Sequence, residues 1–111
     1  VKIITLEFLI ENHGIPDFCK IDVEGYELKV LKGLQTSIPL FSFEFFGEAS
    51  KETILCLEQV SKIGDYEYNW SMGENLEMKE KNWLSMREMN SRILDYNKGK
   101  SGDIYARLKT K

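Results

Sequence analysis

A chain of 111 residues makes one domain with a core, and is small for a complete nucleotide-cofactor enzyme. Its formal charge of -3, with the lysines scattered rather than massed, argues against a polyanion, so nucleic acid is not an expected partner. No membrane partner is expected either, because the densest apolar run, Ile38 to Phe46, is short and interrupted by Pro39, Ser42 and Glu44.

Val1 to Thr5 reads as an extended lead-in, and Thr5 is placed to cap a helix from Leu6 to about Asn12. Leu6, Leu9 and Ile10 fall on one face of that helix, with Gly14 to close it and Pro16 to prevent continuation. His13, the single histidine, sits beside the helix terminus, where a cation meets the final carbonyls, and receives no catalytic role.

Asp17 to Gly33 then carries a strand, a tight turn and a helix. Phe18 to Val23 suits a buried strand with apolar groups on both faces. After Gly25, the apolar positions Leu28, Leu31 and Leu34, with Val30 beside them, mark one helical face ending near Gly33. Asp22 and Glu24 therefore stand at the carboxyl end of the strand, where open α/β sheets bind their ligands. Two positions apart on an extended backbone, both carboxylates reach one ligand or metal; alternatively they stabilise the positive end of the next helix.

Leu40 to Phe46 is a second apolar strand with an acid inside it. Burying Glu44 unpaired costs several kcal/mol, so it is expected near the strand's carboxyl end, where a ligand, a cation or water meets it. Ser50 can cap a helix from Lys51 to Ile63, whose Ile54, Leu57 and Val60 form a core stripe before Gly64. Tyr66, Tyr68 and Trp70 alternate with polar residues in a third strand whose aromatic face suits core packing better than a flat ligand. A turn follows at Gly73 to Asn75. Ser85 and Glu88 form a capping box for a helix over Met86 to Leu94, and Ile104, Ala106 and Leu108 mark a last strand, expected antiparallel beside the Tyr66 strand. Cys19 and Cys56 have neither metal-ligand nor redox spacing and read as free thiols of a reducing compartment; with no signal peptide in the sequence, the expected location is the cytoplasm.

Lys20-Ile21-Asp22-Val23-Glu24-Gly25, Glu27 and Val30-Leu31-Lys32-Gly33 resemble the signature of the FkbM family of S-adenosylmethionine-dependent methyltransferases. Thr5-Leu6-Glu7 resembles the family's Thr-Leu-Asp with Glu in place of Asp, and Ser101 to Arg107 resembles its closing strand. The resemblance implies an α/β fold: the C-terminal half of a Rossmann-like methyltransferase, with a mostly parallel sheet and an antiparallel edge strand. The whole of 1–111 is then one partial domain lacking the N-terminal cofactor-binding strands. The implied reaction is transfer of a methyl group from S-adenosylmethionine to a hydroxyl of a sugar or other small molecule. In that frame Asp22 and Glu24 are the catalytic candidates, Lys20 and Glu44 are candidates for holding the acceptor, and no cofactor-binding residue is assigned. A divalent cation held by the acids is a variant of the mechanism that no ligand spacing supports. The alternative is a non-catalytic α/β fragment or interaction module derived from a methyltransferase. In either case the strand edge left open by the missing half is a route to self-association.

Overall fold

The computed structural model describes residues 6–21, 26–46, 50–72, 77–96 and 101–109. The chain runs α1 (Leu6–His13), β1 (Cys19–Ile21), α2 (Glu27–Gly33), β2 (Leu40–Phe46), α3 (Ser50–Ile63), β3 (Tyr66–Met72), α4 (Met86–Asp95) and β4 (Ser101–Leu108). The predicted Thr5 cap and the turn at Gly73 to Asn75 lie outside the described residues.

Helix α1 ends as its glycine requires: Gly14 takes φ 88, and its N–H donates to the Ile10 carbonyl at 2.8 Å. Only Ile10 of the predicted apolar face is shown to reach the core, whereas Leu9 is 42% exposed. In α2, Leu31 and Leu34 are buried as the spacing predicts. Gly33 is the helix's last residue rather than its left-handed cap; Leu34 ends the helix in extended conformation, donating to the Leu31 carbonyl at 3.1 Å. Ser50 is likewise the first residue of α3, not a cap before it, and Thr53, Cys56, Leu57 and Val60 form that helix's buried side. The capping box of α4 is present as read: Glu88 N–H donates to Ser85 Oγ at 3.1 Å and Ser85 N–H to Glu88 Oε1 at 2.9 Å.

The sheet departs from the expected arrangement. Its four strands lie in the order β1-β2-β4-β3. β1 and β2 are parallel, while β4 runs antiparallel to both β2 and β3. The sheet is therefore mixed, not mostly parallel, and its reversed strand lies inside it rather than at an edge. Side-chain volume gives the reason. Across the register, Ala106 lies between Phe41 and Tyr68, Ile104 between Phe43 and Trp70, and Gly102 between Phe45 and Met72. Two strands of aromatic residues on one face would crowd each other as direct neighbours, and a strand bearing small residues separates them and lets their rings interleave. The rings meet accordingly, with Phe41 edge-on to Tyr66 at 5.3 Å and Trp70 edge-on to Tyr96 at 5.7 Å between centroids.

This aromatic face joins Leu31, Leu57, Val60, Met89 and Ile93 from the helices in one buried cluster. The opposite face is polar. There Ser42, Asn69 and Ser71 are buried, and Lys20, Glu44, Asp103 and Tyr105 share that side by alternation. Strand β1 is also wetter than read: Phe18 is 48% exposed and Lys20 is exposed, because β1 has β2 as its only strand neighbour among the described residues; Asp22 and Val23 of the expected strand lie outside them.

The segment before α4 is tied to β3 through Glu80. Asn69 Oδ1 accepts from the Glu80 N–H at 3.1 Å, and the Glu80 carboxylate accepts from Trp70 Nε1 at 2.9 Å and Arg92 Nε at 3.1 Å. The Trp70 hydrogen bond, followed by the Arg92 guanidinium, holds the Glu80 carboxyl below its ordinary range. A carboxylate so depressed adds stability that is complete above the ordinary carboxylate range and is lost as the pH falls through that range. Glu80→Gln should therefore cost about 1 kcal/mol at neutral pH and almost nothing in acid. Denaturant melts of parent and variant should converge as the pH is lowered; a gap that stays constant with pH would show that the charge contributes nothing.

Candidate active site at the strand ends

The parallel pair sets the geometry. Cys19 lies opposite Phe41, Lys20 opposite Ser42 and Ile21 opposite Phe43, so β1 and β2 point the same way, and β2 continues through Glu44 to Phe46. Each strand leads onward to a helix, α2 after β1 and α3 after β2, and both helices carry an acid in the first turn, Glu27 and Glu52. Such acids complement the positive end of a helix, which explains their place in the sequence. Together with Glu44, Thr53 and Cys56 they line a cavity of about 30 Å3, room for one water-sized group.

The electrostatics are those of a negative crevice. Glu27 is buried at 5% exposure, while Glu44 is half-buried and lies opposite Asp103 of β4. Burial, and then the negative charges of Glu27 and Glu52, push the Cys56 thiol up to about 12. Burial also raises the Cys19 thiol. A thiol held protonated is neither a nucleophile nor a metal ligand at neutral pH, so the arrangement favours acid–base work by carboxylates over sulfur chemistry. Among the described residues, no three His, Cys, Asp or Glu side chains are grouped to hold a metal ion.

Of the residues singled out from sequence, Glu44 stands at the crevice. Lys20 is exposed on the polar face of β1, opposite Ser42, and does not line the cavity. His13 is exposed in the last turn of α1. Asp22 and Glu24 lie outside the described residues. The sequence reading missed Glu27 and Glu52 as members of the site. Their position in the first turn after a strand was the available signal.

The family model described as the methyltransferase FkbM domain matches residues 1–93. The chain belongs to this family. No match is found among curated proteins. The matched part of the FkbM methyltransferase domain reaches from α1 into α4 and stops before β4, the strand that separates the two aromatic ones. Methyltransferases of this family imply S-adenosylmethionine as the methyl donor. The crevice at the strand ends does not fit that molecule by itself: ligands of its size occupy cavities of several hundred Å3, and the crevice holds about 30 Å3. No helix among the described residues of the FkbM domain is long and apolar enough to cross a membrane.

Proposed function

We propose that this chain supplies the acceptor side of a Rossmann-like, S-adenosylmethionine-dependent methyltransferase that methylates a hydroxyl oxygen of a sugar or similar small molecule. The observation that carries the reading is the parallel β1-β2 pair, whose carboxyl ends share one rim and lead into α2 and α3. Ligands of open α/β sheets bind at such a rim. Asp22 directly follows Ile21, the last described residue of β1, and Glu24 comes two residues later. Either carboxylate is of the right kind to take or weaken the acceptor's O–H proton as the oxygen becomes nucleophilic. Glu44 and Lys20 are assigned to the acceptor, Glu44 from the rim and Lys20 from the neighbouring polar face.

In this reading the cofactor is held mainly by strands that continue the sheet beyond β1. Exposed apolar side chains that flank β1, the edge strand among the described residues, in the sequence support it: Ile15 at 54%, Phe18 at 48% and Tyr26 at 66%. Without such a cover the same edge would pair with a second copy. Two measurements test the reading. The full-length protein, given S-adenosylmethionine and a panel of hydroxylated acceptors, should yield an O-methylated product; transfer to nitrogen or carbon alone, or none to any acceptor, would overturn it. Calorimetry on residues 1–111 should detect no cofactor binding, and micromolar affinity would show the site to be complete without further strands.

A further inference from the structure

Among the described residues, β3 is the edge of the sheet opposite β1, so its outward backbone groups need a partner other than β4. Residues 79–84 supply one in part. The Tyr68 N–H donates to the Leu84 carbonyl and the Leu84 N–H to the Tyr68 carbonyl, both at 2.7 Å, and the Lys79 N–H donates to the Trp70 carbonyl at 2.7 Å. We propose that the outer edge of β3 is a pairing surface for a second copy of this chain, and that residues 79–84 are a strap that keeps it closed, latched by Glu80.

Side chains fasten this strap more than strand pairing does. It meets β3 in an isolated antiparallel bridge, Tyr68 to Leu84, while Lys79, Lys81 and Asn82 are exposed. Glu80 gathers much of the fastening. Its N–H and carbonyl meet the Asn69 side-chain amide at 3.1 and 2.9 Å, and its carboxylate accepts from Trp70 Nε1 and Arg92 Nε. A second fastening is the Arg107 guanidinium, which lies 4.0 Å from the centre of the Trp83 ring and is ion-paired with Glu67. Covering an edge in this way stops the strands of two molecules from joining. Toward the start of β3 the strap ends at Leu84, and there Tyr66 and Tyr68 line a cavity of about 410 Å3, which gives an incoming strand room to begin pairing.

The sequence of β3 fits its own copy. The Tyr68 and Trp70 groups bonded to the strap face outward, so a two-fold axis through Asn69 would pair two β3 strands antiparallel with those groups meeting. Tyr68 of each copy would then stand opposite Trp70 of the other, and Glu67 opposite Ser71. Aromatic pairs across a ladder are favourable, and the strand's one charged residue meets a serine rather than itself.

Sedimentation velocity of the full-length protein tests the proposal. Glu80→Ala combined with Trp83→Ala should dimerise about tenfold more tightly than the parent, or more. The milder Glu80→Gln should do so severalfold, which keeps a readout if the double variant does not fold. Amide hydrogen exchange locates the contact: in the variant dimer the Tyr68 amide should be protected while the Leu84 amide exchanges freely, because a partner strand and not the strap holds the Tyr68 groups. Unchanged association of every variant that folds would overturn the proposal. So would a dimer with the Tyr68 amide unprotected, which places the contact on another surface, or one with both amides protected, which shows straps exchanged between copies.

Discussion

Gly102→Ala in the full-length protein should lower stability by about 3 kcal/mol, the upper part of the range for an overpacked interior. A methyl group at Gly102 would run into the backbone carbonyl of Ser71 and come within 2.9 Å of Phe45 Cε1. The first obstacle decides the size of the effect. A ring can turn, but a carbonyl oxygen of the neighbouring strand moves only if β3 and β4 part, and Gly102 lies in β4 with Phe45 on one side and Met72 on the other. The loss should appear as a lower denaturant midpoint with an unchanged slope. Gly33→Ala is the internal control, since a methyl there meets nothing within 4 Å and the backbone is not left-handed. It should be neutral or stabilise by about 0.5 kcal/mol, through the lower entropy of the unfolded chain. Equal losses at the two glycines would mean that β4 does not lie between β2 and β3.

That arrangement of β4 marks the limit of what the sequence discloses about the fold. Local pattern is enough for β2, β3, α3 and α4, because Phe41, Phe43 and Phe45 alternate, Tyr66, Tyr68 and Trp70 alternate, and Ser85 with Glu88 fixes the start of α4. Strand order is not a local property. The pairing of β4 with β3 follows from its place in the chain, but its pairing with β2 depends on bulk: the inward-facing run of Gly102, Ile104 and Ala106 is small enough to pass between two aromatic strands. Composition of the facing residues carried this information, and periodicity did not. Leu9 and Phe18 fail for a related reason, since hydrophobicity marks a side chain as able to be buried and cannot name the surface that would cover it.

The site was legible to a lesser degree. Glu44 could be placed at a strand end from cost alone, because an unpaired acid inside an aromatic strand is too expensive to bury deeply. It is half-buried there, opposite Asp103. Lys20, whose motif implied the acceptor, lies on the same polar face as Glu44, opposite Ser42, but is not among the residues that line the cavity with Glu27, Glu44 and Glu52. Glu27 and Glu52 were hidden because each has an ordinary explanation as a complement to a helix terminus. Their convergence depends on α2 and α3 starting beside the same rim, and that is a tertiary fact.

At least one of Asp22→Asn and Glu24→Gln should cut methyl transfer by the full-length protein about a hundredfold or more, the loss expected when a positioned base is removed. A hydroxyl is a poor nucleophile at neutral pH, so its proton must be taken or weakened as the oxygen attacks. The described residues offer few substitutes: both thiols are held protonated by burial, His13 is exposed at the end of α1, and Tyr66 and Tyr68 are pushed well above the range of a useful base. Each substitution keeps the side chain's size and removes its charge, so the folded state and cofactor affinity should change little while the rate falls. The pH profile adds a readout that a structural role would not move: with the base removed, the rise in rate through the carboxylate range should disappear along with its magnitude. If both variants fold and turn over like the parent, Asp22 and Glu24 only stabilise the start of the following helix, and proton removal belongs to another group, the crevice carboxylates Glu27, Glu44 and Glu52 among the candidates.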